Sequence, residues 1–396
     1  MSLRVDIRKR YKGFALDMAF SSDEGTLALL GASGSGKSIT LKCIAGLISP
    51  DEGVIIADGR TLYDSAAKID LRPQERGVGY LFQNYALFPN MTVRQNIAIA
   101  HRGDPALRDG DIAALIARYG LEGLEGRYPV ELSGGQQQRA ALARIFAYQP
   151  RILLLDEPFS ALDTFLRENM QIELKRIIRE YNGSVVLVTH SRDEAYKLAD
   201  GVVILDGGRP AAIGPVKDVF AHPGNVRAAR ITGCKNITAI EKTGEHSFFA
   251  KDWGMELVVS DPVEDRHRYA GIRAHDFVPD EGDSCMSAGE GPAVIRPQEG
   301  PAVIGPQEGL AIIRPQEGPA VIGPQGEPVP AGGTAGGPNI FKIEYIDEID
   351  GPFEKSVIFR AEGCAGDLWW ITGRDTDVSG VNTLAVSPGS VLLLEH

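Results

Sequence analysis

Residues 26–41 read Thr26-Leu27-Ala28-Leu29-Leu30-Gly31-Ala32-Ser33-Gly34-Ser35-Gly36-Lys37-Ser38-Ile39-Thr40-Leu41. A short apolar strand runs into a glycine-rich turn closed by Lys-Ser, and a helix begins there. The glycines let the backbone curl so that successive N–H groups point inward. The helix start adds the positive end of its dipole, which suits a β-phosphate. In this pattern Gly31, Ser33, Gly34, Ser35, Gly36 and the start of the helix through Ile39 form a phosphate cradle. Lys37 reaches the β- and γ-phosphates and the Ser38 hydroxyl sits on Mg²⁺. The bland alternative is a tight glycine turn without a ligand. The strand before it and the helix after it, with Lys37 and Ser38 in register, favour phosphate.

Working outward, Ile152-Leu153-Leu154-Leu155 is continuously apolar, the pattern of a parallel strand buried on both faces. Asp156 at its carboxyl end is placed to hold Mg²⁺, and Glu157 is the candidate to polarise an attacking water. Phosphoryl transfer needs little covalent help, so positioning and charge neutralisation carry most of it. Two carboxylates capping a strand is the competing reading. A second buried strand, Val185-Val186-Leu187-Val188-Thr189, ends at His190, and Tyr80-Leu81-Phe82 ends at Gln83. A lone His or Gln after a strand is more often structural or solvated than catalytic. Leu132-Ser133-Gly134-Gly135-Gln136 opens a further helix near Gln136, again an N-terminus able to bind phosphate.

The P-loop, Leu132–Gln136, Ile152–Glu157 and His190, in that chain order, resemble the ATP-binding cassette family, over residues 1 to about 222. The resemblance implies an α/β P-loop NTPase cassette with a helical subdomain at about 84–150, and ATP and Mg²⁺ as its ligands. His190 is similar to the family's switch histidine on the γ-phosphate, and Gln83 to its Mg²⁺- and water-sensing glutamine. Pro158, Ser160, Ala161, Leu162 and Asp163 are similar to the family's next loop. An aromatic ring upstream of the P-loop is expected to stack on adenine. Tyr11 is the candidate for it, and Phe14 is the rival, with a core position as its other reading. Ser133, Gly134, Gly135, Gln136 and Asp163 are implied to act in trans, across a head-to-tail dimer. With one set of motifs per chain, a homodimer with two composite sites follows from the resemblance.

Composition agrees with this and excludes rivals. The chain has 396 residues, 43% hydrophobic and 24% charged, enough for two or three domains. No apolar run approaches the roughly 18 residues of a spanning helix, and nothing at the N-terminus resembles a signal peptide. A formal net charge of −12 argues against general nucleic-acid affinity, which needs phosphate-neutralising cations. Cys43, Cys234, Cys285 and Cys364 lack metal-ligand spacing and read as free thiols in a reducing compartment. Leu394-Glu395-His396 reads as a vector remnant.

After the cassette the texture changes. Residues 223–280 and 338–394 carry short β-type runs: Glu256–Val259, Phe341–Tyr345, Ser356–Arg360 and Ser390–Leu394. They predict a small all-β, OB-like barrel domain. Gly271–Asp276 is similar to the strand and turn of the transport-associated OB domain of importer ATPases. Thr232–Ile237 resembles the start of that domain in molybdate and sulfate importers. Lys235 and Asn236 are candidate donors to an oxyanion, with an ordinary exposed loop as the competing reading. A Pro/Gly-rich insertion (281–337) interrupts the domain. It contains four near-identical nonamers, starting at Gly291, Gly300, Gly309 and Gly318. Recurrent proline predicts extended or disordered chain there.

Leu71–Val93, with the apolar knot Leu87-Phe88-Pro89, resembles importer ATPases in which this region receives a permease's coupling helix. The partners so implied are two integral-membrane permease subunits and, indirectly, an extracytoplasmic solute-binding protein. The location implied is peripheral, on the cytoplasmic face of the membrane. Cassette ATPases acting on DNA or ribosomes usually carry a long heptad insertion or two cassettes, and this chain has neither. An oxyanion such as molybdate, tungstate or sulfate is the first choice of solute. Iron, polyamine and sugar importers share every cassette motif.

Overall fold

Apolar runs that show no alternation become the interior strands of one sheet. The structure, a computed structural model, describes residues 2–22, 25–160, 162, 164–280 and 339–396. In chain order the first part comprises β1 (Leu3–Tyr11), β2 (Phe14–Ser22), β3 (Thr26–Gly31), α1 (Lys37–Ala45), β4 (Glu52–Ala57), β5 (Arg60–Asp64), β6 (Ile69–Asp70) and β7 (Val78–Leu81). There follow α2 (Val93–Ala98), α3 (Arg108–Arg118), α4 (Gly134–Ala147), β8 (Ile152–Asp156), α5 (Thr164–Glu180) and β9 (Ser184–Thr189). It closes with α6 (Arg192–Leu198), β10 (Gly201–Asp206), β11 (Arg209–Pro215), α7 (Val216–Ala221) and α8 (Val226–Ile231).

The core sheet has the order β11-β10-β3-β9-β8-β7. From β10 to β7 every pair is parallel, and β11 joins antiparallel at the edge. Successive side chains of a strand face opposite ways, so each interior strand feeds two cores. Leu27, Leu29, Ile152 and Leu154 pack with α1 and the antiparallel sheet β2-β1-β4-β5-β6. Leu153, Leu155 and Leu187 pack on the other face with α2, α3, α4 and α5, while Ala28 and Leu30 meet α6, α7 and α8. Helices on both faces are what a parallel sheet requires.

The second part comprises β12 (Asn236–Lys242), β13 (Ser247–Ala250), β14 (Met255–Val258), β15 (Tyr269–Ile272), β16 (Val278–Pro279), β17 (Asn339–Asp350), β18 (Glu354–Ala361), β19 (Leu368–Gly373), β20 (Thr383–Val386) and β21 (Val391–Leu394). Two five-stranded sheets, β14-β13-β12-β15-β21 and β16-β20-β17-β18-β19, share one apolar core. All their pairs are antiparallel, giving an OB-like all-β unit. Phe341 and Phe359 meet Phe277 edge-on at 5.4 and 5.3 Å. The nonamer repeats and Cys285 lie outside the described residues.

Two expectations are corrected here. The Thr232–Ile237 segment is not an exposed loop throughout: Lys235 is exposed, but Thr232, Cys234 and Asn236 are buried. The Asn236 amide donates to the Ile272 and Trp369 carbonyls, and its oxygen accepts from the Trp369 N–H at 2.8 Å. It braces β12, β15 and β19 and has no donor left for an anion. Nor is the chain end an appendage: Leu394 is fully buried, and the Glu395 backbone pairs with Gly224 and Val226.

Candidate nucleotide site

The register of the parallel strands brings the motif residues to one edge. Leu30 pairs with Thr189, and Asp156 with Val188. Gly31, Asp156, Glu157 and His190 therefore stand side by side where the strands end, the usual ligand edge of such a sheet. Gly36 caps α1 with φ 104°. A Cβ there would be strained and would lie 2.7 Å from Leu16 Cδ1, so only glycine lets the loop close on the helix.

Lys37 Nζ donates to the Gly31 and Ala32 carbonyls, both at 2.8 Å, which folds the amine back over the loop it closes. Burial pulls its pKa down, opposed by the negative charges of Glu157 and Asp156. The Ser35 hydroxyl is buried and has no protein partner. A buried hydroxyl without a protein partner, in a glycine-rich turn before a helix, fits the oxygens of an anion. Ser33 and Gly34 are exposed. Ile39 packs its side chain into the core, so it can offer only its backbone N–H.

Ser38 Oγ donates to Asp156 Oδ1 at 2.8 Å, and Tyr80 Oη donates to Asp156 Oδ2 at 2.7 Å. The Asp156 residue is 7% exposed. Burial, with Asp156 beside it, pushes the Tyr80 phenol up, so it stays a donor. A hydroxyl and a carboxylate this close are two hard oxygen ligands, which fits Mg²⁺ completed by phosphate oxygens and water. Glu157 has φ 47°, a rare backbone for a residue with a side chain. Its N–H donates to the Val188 carbonyl, and its carbonyl accepts from the Ser160 N–H and hydroxyl. Glu157 Oε1 lies 3.4 Å from His190 Nδ1, whose side chain is 62% exposed. Gln83 is exposed just beyond β7, on the same edge, since Leu81 pairs with Leu155. Thr189 Oγ1 donates to buried Glu194 at 2.5 Å and accepts from the Ser191 N–H, which holds the turn that carries His190.

The Ser133 hydroxyl accepts from the Gln136 N–H, and the Gln136 side chain accepts from the Ser133 N–H at 2.9 Å. This capping box leaves Ser133 exposed and Gly134 half-buried at the start of α4. Because α1 and α4 pack on opposite faces of the core sheet, their N-termini belong to different sides of the chain. Tyr11 ends β1 with 43% exposure, whereas Phe14 packs into the core, 3.1 Å from where a Gly36 Cβ would stand. Of the two rings, Tyr11 is the one open to a base. Asp163 lies outside the described residues. The Tyr80–Asp156 contact has no signal in the sequence, because it joins residues 76 positions apart.

Comparisons with known proteins agree with this geometry. The profile described as "ABC transporter" matches residues 16–160. The chain is 41% identical over 223 residues to the molybdenum import ATP-binding protein of Paramagnetospirillum magneticum, covering 56% of this chain and 61% of that protein. It is 40% identical over 285 residues to the molybdate/tungstate import ATP-binding protein of Thermococcus kodakarensis, covering 70% of this chain and 83% of that protein. It is 43% identical over 215 residues to the spermidine/putrescine import ATP-binding protein of Methylococcus capsulatus, covering 53% and 54%. The chain thus spans from just over half to about four fifths of these relatives' lengths. With the family profile spanning the P-loop, Gln83, Ser133, Asp156 and Glu157, and 83% of an import protein matched, the chain belongs to the ABC transporter family, among its import ATP-binding proteins.

Proposed function

We propose that this chain is the ATP-hydrolysing subunit of a membrane importer, acting as a homodimer on two permease subunits. The observation that carries the reading is the convergence of Lys37, Ser38, Asp156, Glu157 and His190 on one sheet edge. The division that goes with it is a cassette at 1–222 with a helical subdomain at about 84–150. An OB-like domain at 223–280 and 338–394 follows, interrupted by 281–337.

In this reading the loop amides, Ser35 and Lys37 bind the phosphates, and Tyr11 stacks on the adenine. Ser38, Asp156 and Gln83 hold Mg²⁺, which offsets charge developing on the phosphates. The Tyr80 hydroxyl fixes the Asp156 carboxylate, and Glu157 takes the proton of the attacking water. His190, 3.4 Å from Glu157, aligns that base and faces the terminal phosphate. Ser133, Gly134, Gly135, Gln136 and Asp163 complete the partner's site, which suits an α4 N-terminus on the opposite face from α1. Phe88 stays exposed with the Arg144 guanidinium 5.3 Å from its ring centre, an apolar feature suited to a permease helix. The solute proposed is an oxyanion such as molybdate, tungstate or sulfate, delivered by a solute-binding protein.

Mixed dimers test the composite site. Ser133→Arg alone and Lys37→Ala alone should each lose ATPase activity. A heterodimer carrying one lesion on each chain keeps one intact site and should recover part of the turnover. Equal inactivity of mixed and single-variant dimers would contradict sites shared between chains.

A further inference from the structure

A cleft of about 720 Å³ lies where α6 and α7 meet the OB-like unit. Arg192 and Lys197 on α6, Lys217 on α7, and Lys235 and Arg273 from the second unit line it. Asp193 and Glu354 are its acidic residues, so the lining carries a formal 5 − 2 = +3 in a chain of −12. None of the five cations forms an ion pair within 4.0 Å among the described residues. Five unpaired cations gathered from four segments repel one another, and a multivalent anion relieves that.

Three of the cations are also held in place. The Arg273 guanidinium donates to the Thr232 carbonyl at 3.0 Å and to the Phe220 carbonyl, which joins the end of β15 to α7. Lys235 Nζ sits 4.1 Å from the Trp369 ring centre. Arg192 lies against Gly233, where a Cβ would come within 1.6 Å of its Nη1. Tyr196 and Phe220, with ring centres 5.3 Å apart, supply an apolar wall. The volume falls within the ~300–1,000 Å³ range of small-molecule sites.

We propose that this cleft is a binding site for a multivalent phosphate-type oxyanion, distinct from the P-loop and contained in one chain. Its source is either a bare tetrahedral oxyanion or a small phosphate monoester whose body rests on Tyr196 and Phe220. Because α6 begins two residues after His190, an anion there ties the turn that carries His190 to the OB-like unit. The site does not depend on the importer reading, since binding is measured without permease or turnover.

The test is calorimetric titration of the full chain with ADP and Mg²⁺ saturating, which keeps the P-loop occupied. The arms are sodium tungstate, sodium sulfate, inorganic phosphate and ribose 5-phosphate, with sodium chloride at matched ionic strength. One equivalent of at least one anion should bind, and the tightest arm identifies the source. Lys217→Gln/Lys235→Gln, two exposed positions, should weaken it at least tenfold, since charge-assisted hydrogen bonds are lost. Hydrogen exchange should slow over 192–198, 217–221 and 232–235. No binding in any arm, unchanged affinity in the double variant, or protection confined to 31–38 would overturn the proposal.

Discussion

Replacing Arg76 by Met removes a charge that holds the phosphate helix from behind. The Arg76 side chain is fully buried, while its carboxylate partner Asp70 is 43% exposed. The guanidinium donates to the Cys43 carbonyl at 2.7 Å, Ile44 at 2.9 Å, Leu71 at 2.8 Å and Asp70 Oδ1 at 2.7 Å. Two of these acceptors are carbonyls near the C-terminal end of α1, where the dipole favours a cation. Burial draws the guanidinium pKa down, and Asp70 opposes it. The desolvation cost is therefore already met by fixed acceptors. Methionine fills much of the space but takes the guanidinium donors from the Ile44 and Leu71 carbonyls and leaves Cys43 only the Gly46 N–H. Hydrogen bonds to charged groups are worth about 1.5–3 kcal/mol each, yet they overlap. The cost of breaking a buried charged cluster, about 3–5 kcal/mol, sets the expectation for Arg76→Met. Asp70→Asn keeps a neutral acceptor at a half-exposed position and should cost about 0–1 kcal/mol.

The assay is urea unfolding followed by far-UV circular dichroism. Among the described residues the eight α-helices lie within 37–231, all but α8 inside the cassette, so this signal chiefly reports the cassette. Fluorescence would not, because Trp253, Trp369 and Trp370 all lie in the OB-like unit. Equal destabilisation by the two variants would refute the reasoning, since it would place the energy in the exposed ion pair rather than in the cap on α1.

Other outcomes follow from the same structure. Lys37→Ala should weaken ATP binding itself at least tenfold, because the charge facing the phosphates is lost; equilibrium dialysis checks it, and unchanged affinity would remove Lys37 from the cradle. Burial pushes the Cys43 thiol up to about 12 and Cys234 to about 11, so neither should be alkylated in the native protein at pH 8. Of the three cysteines among the described residues, peptide mapping should find Cys364, which is only partly buried, modified first. The two raised thiols also give a sign for alkaline stability. The unfolded thiols ionise from about pH 9, whereas the folded ones stay neutral, so their stabilising share is intact below pH 9. It is lost progressively as pH rises towards 11–12.

Much of the nucleotide site was legible because each motif is local. A strand, a glycine turn and a helix start need only neighbouring residues, and continuously apolar runs declare a sheet buried on both faces. The α/β cassette and the all-β second unit follow from those patterns. Contacts between distant segments carry no such mark. Tyr80 reads as one more strand aromatic until β7 and β8 pair and bring its hydroxyl to Asp156. Asn236 reads as a loop donor until β19 folds beside it and takes both ends of its amide. Arg76 has no local mark within Leu71–Val93, and its work depends on the α1 carbonyls lying within reach. The cationic cleft is assembled from four stretches of chain, none of them notably basic alone.

The central claim is a hydrolytic site completed by a second copy of the chain, and Glu157→Gln tests it most directly. The amide keeps the shape beside His190 but cannot accept a proton, and such general-base steps contribute about 10²–10⁴-fold. Size-exclusion chromatography with and without ATP, paired with a phosphate-release assay, reads both halves of the claim. The expected result is a turnover at least 10²-fold below wild type and an ATP-dependent shift from a 42.6 kDa chain to a dimer. Wild-type turnover, or a chain that stays monomeric with ATP bound, would contradict it.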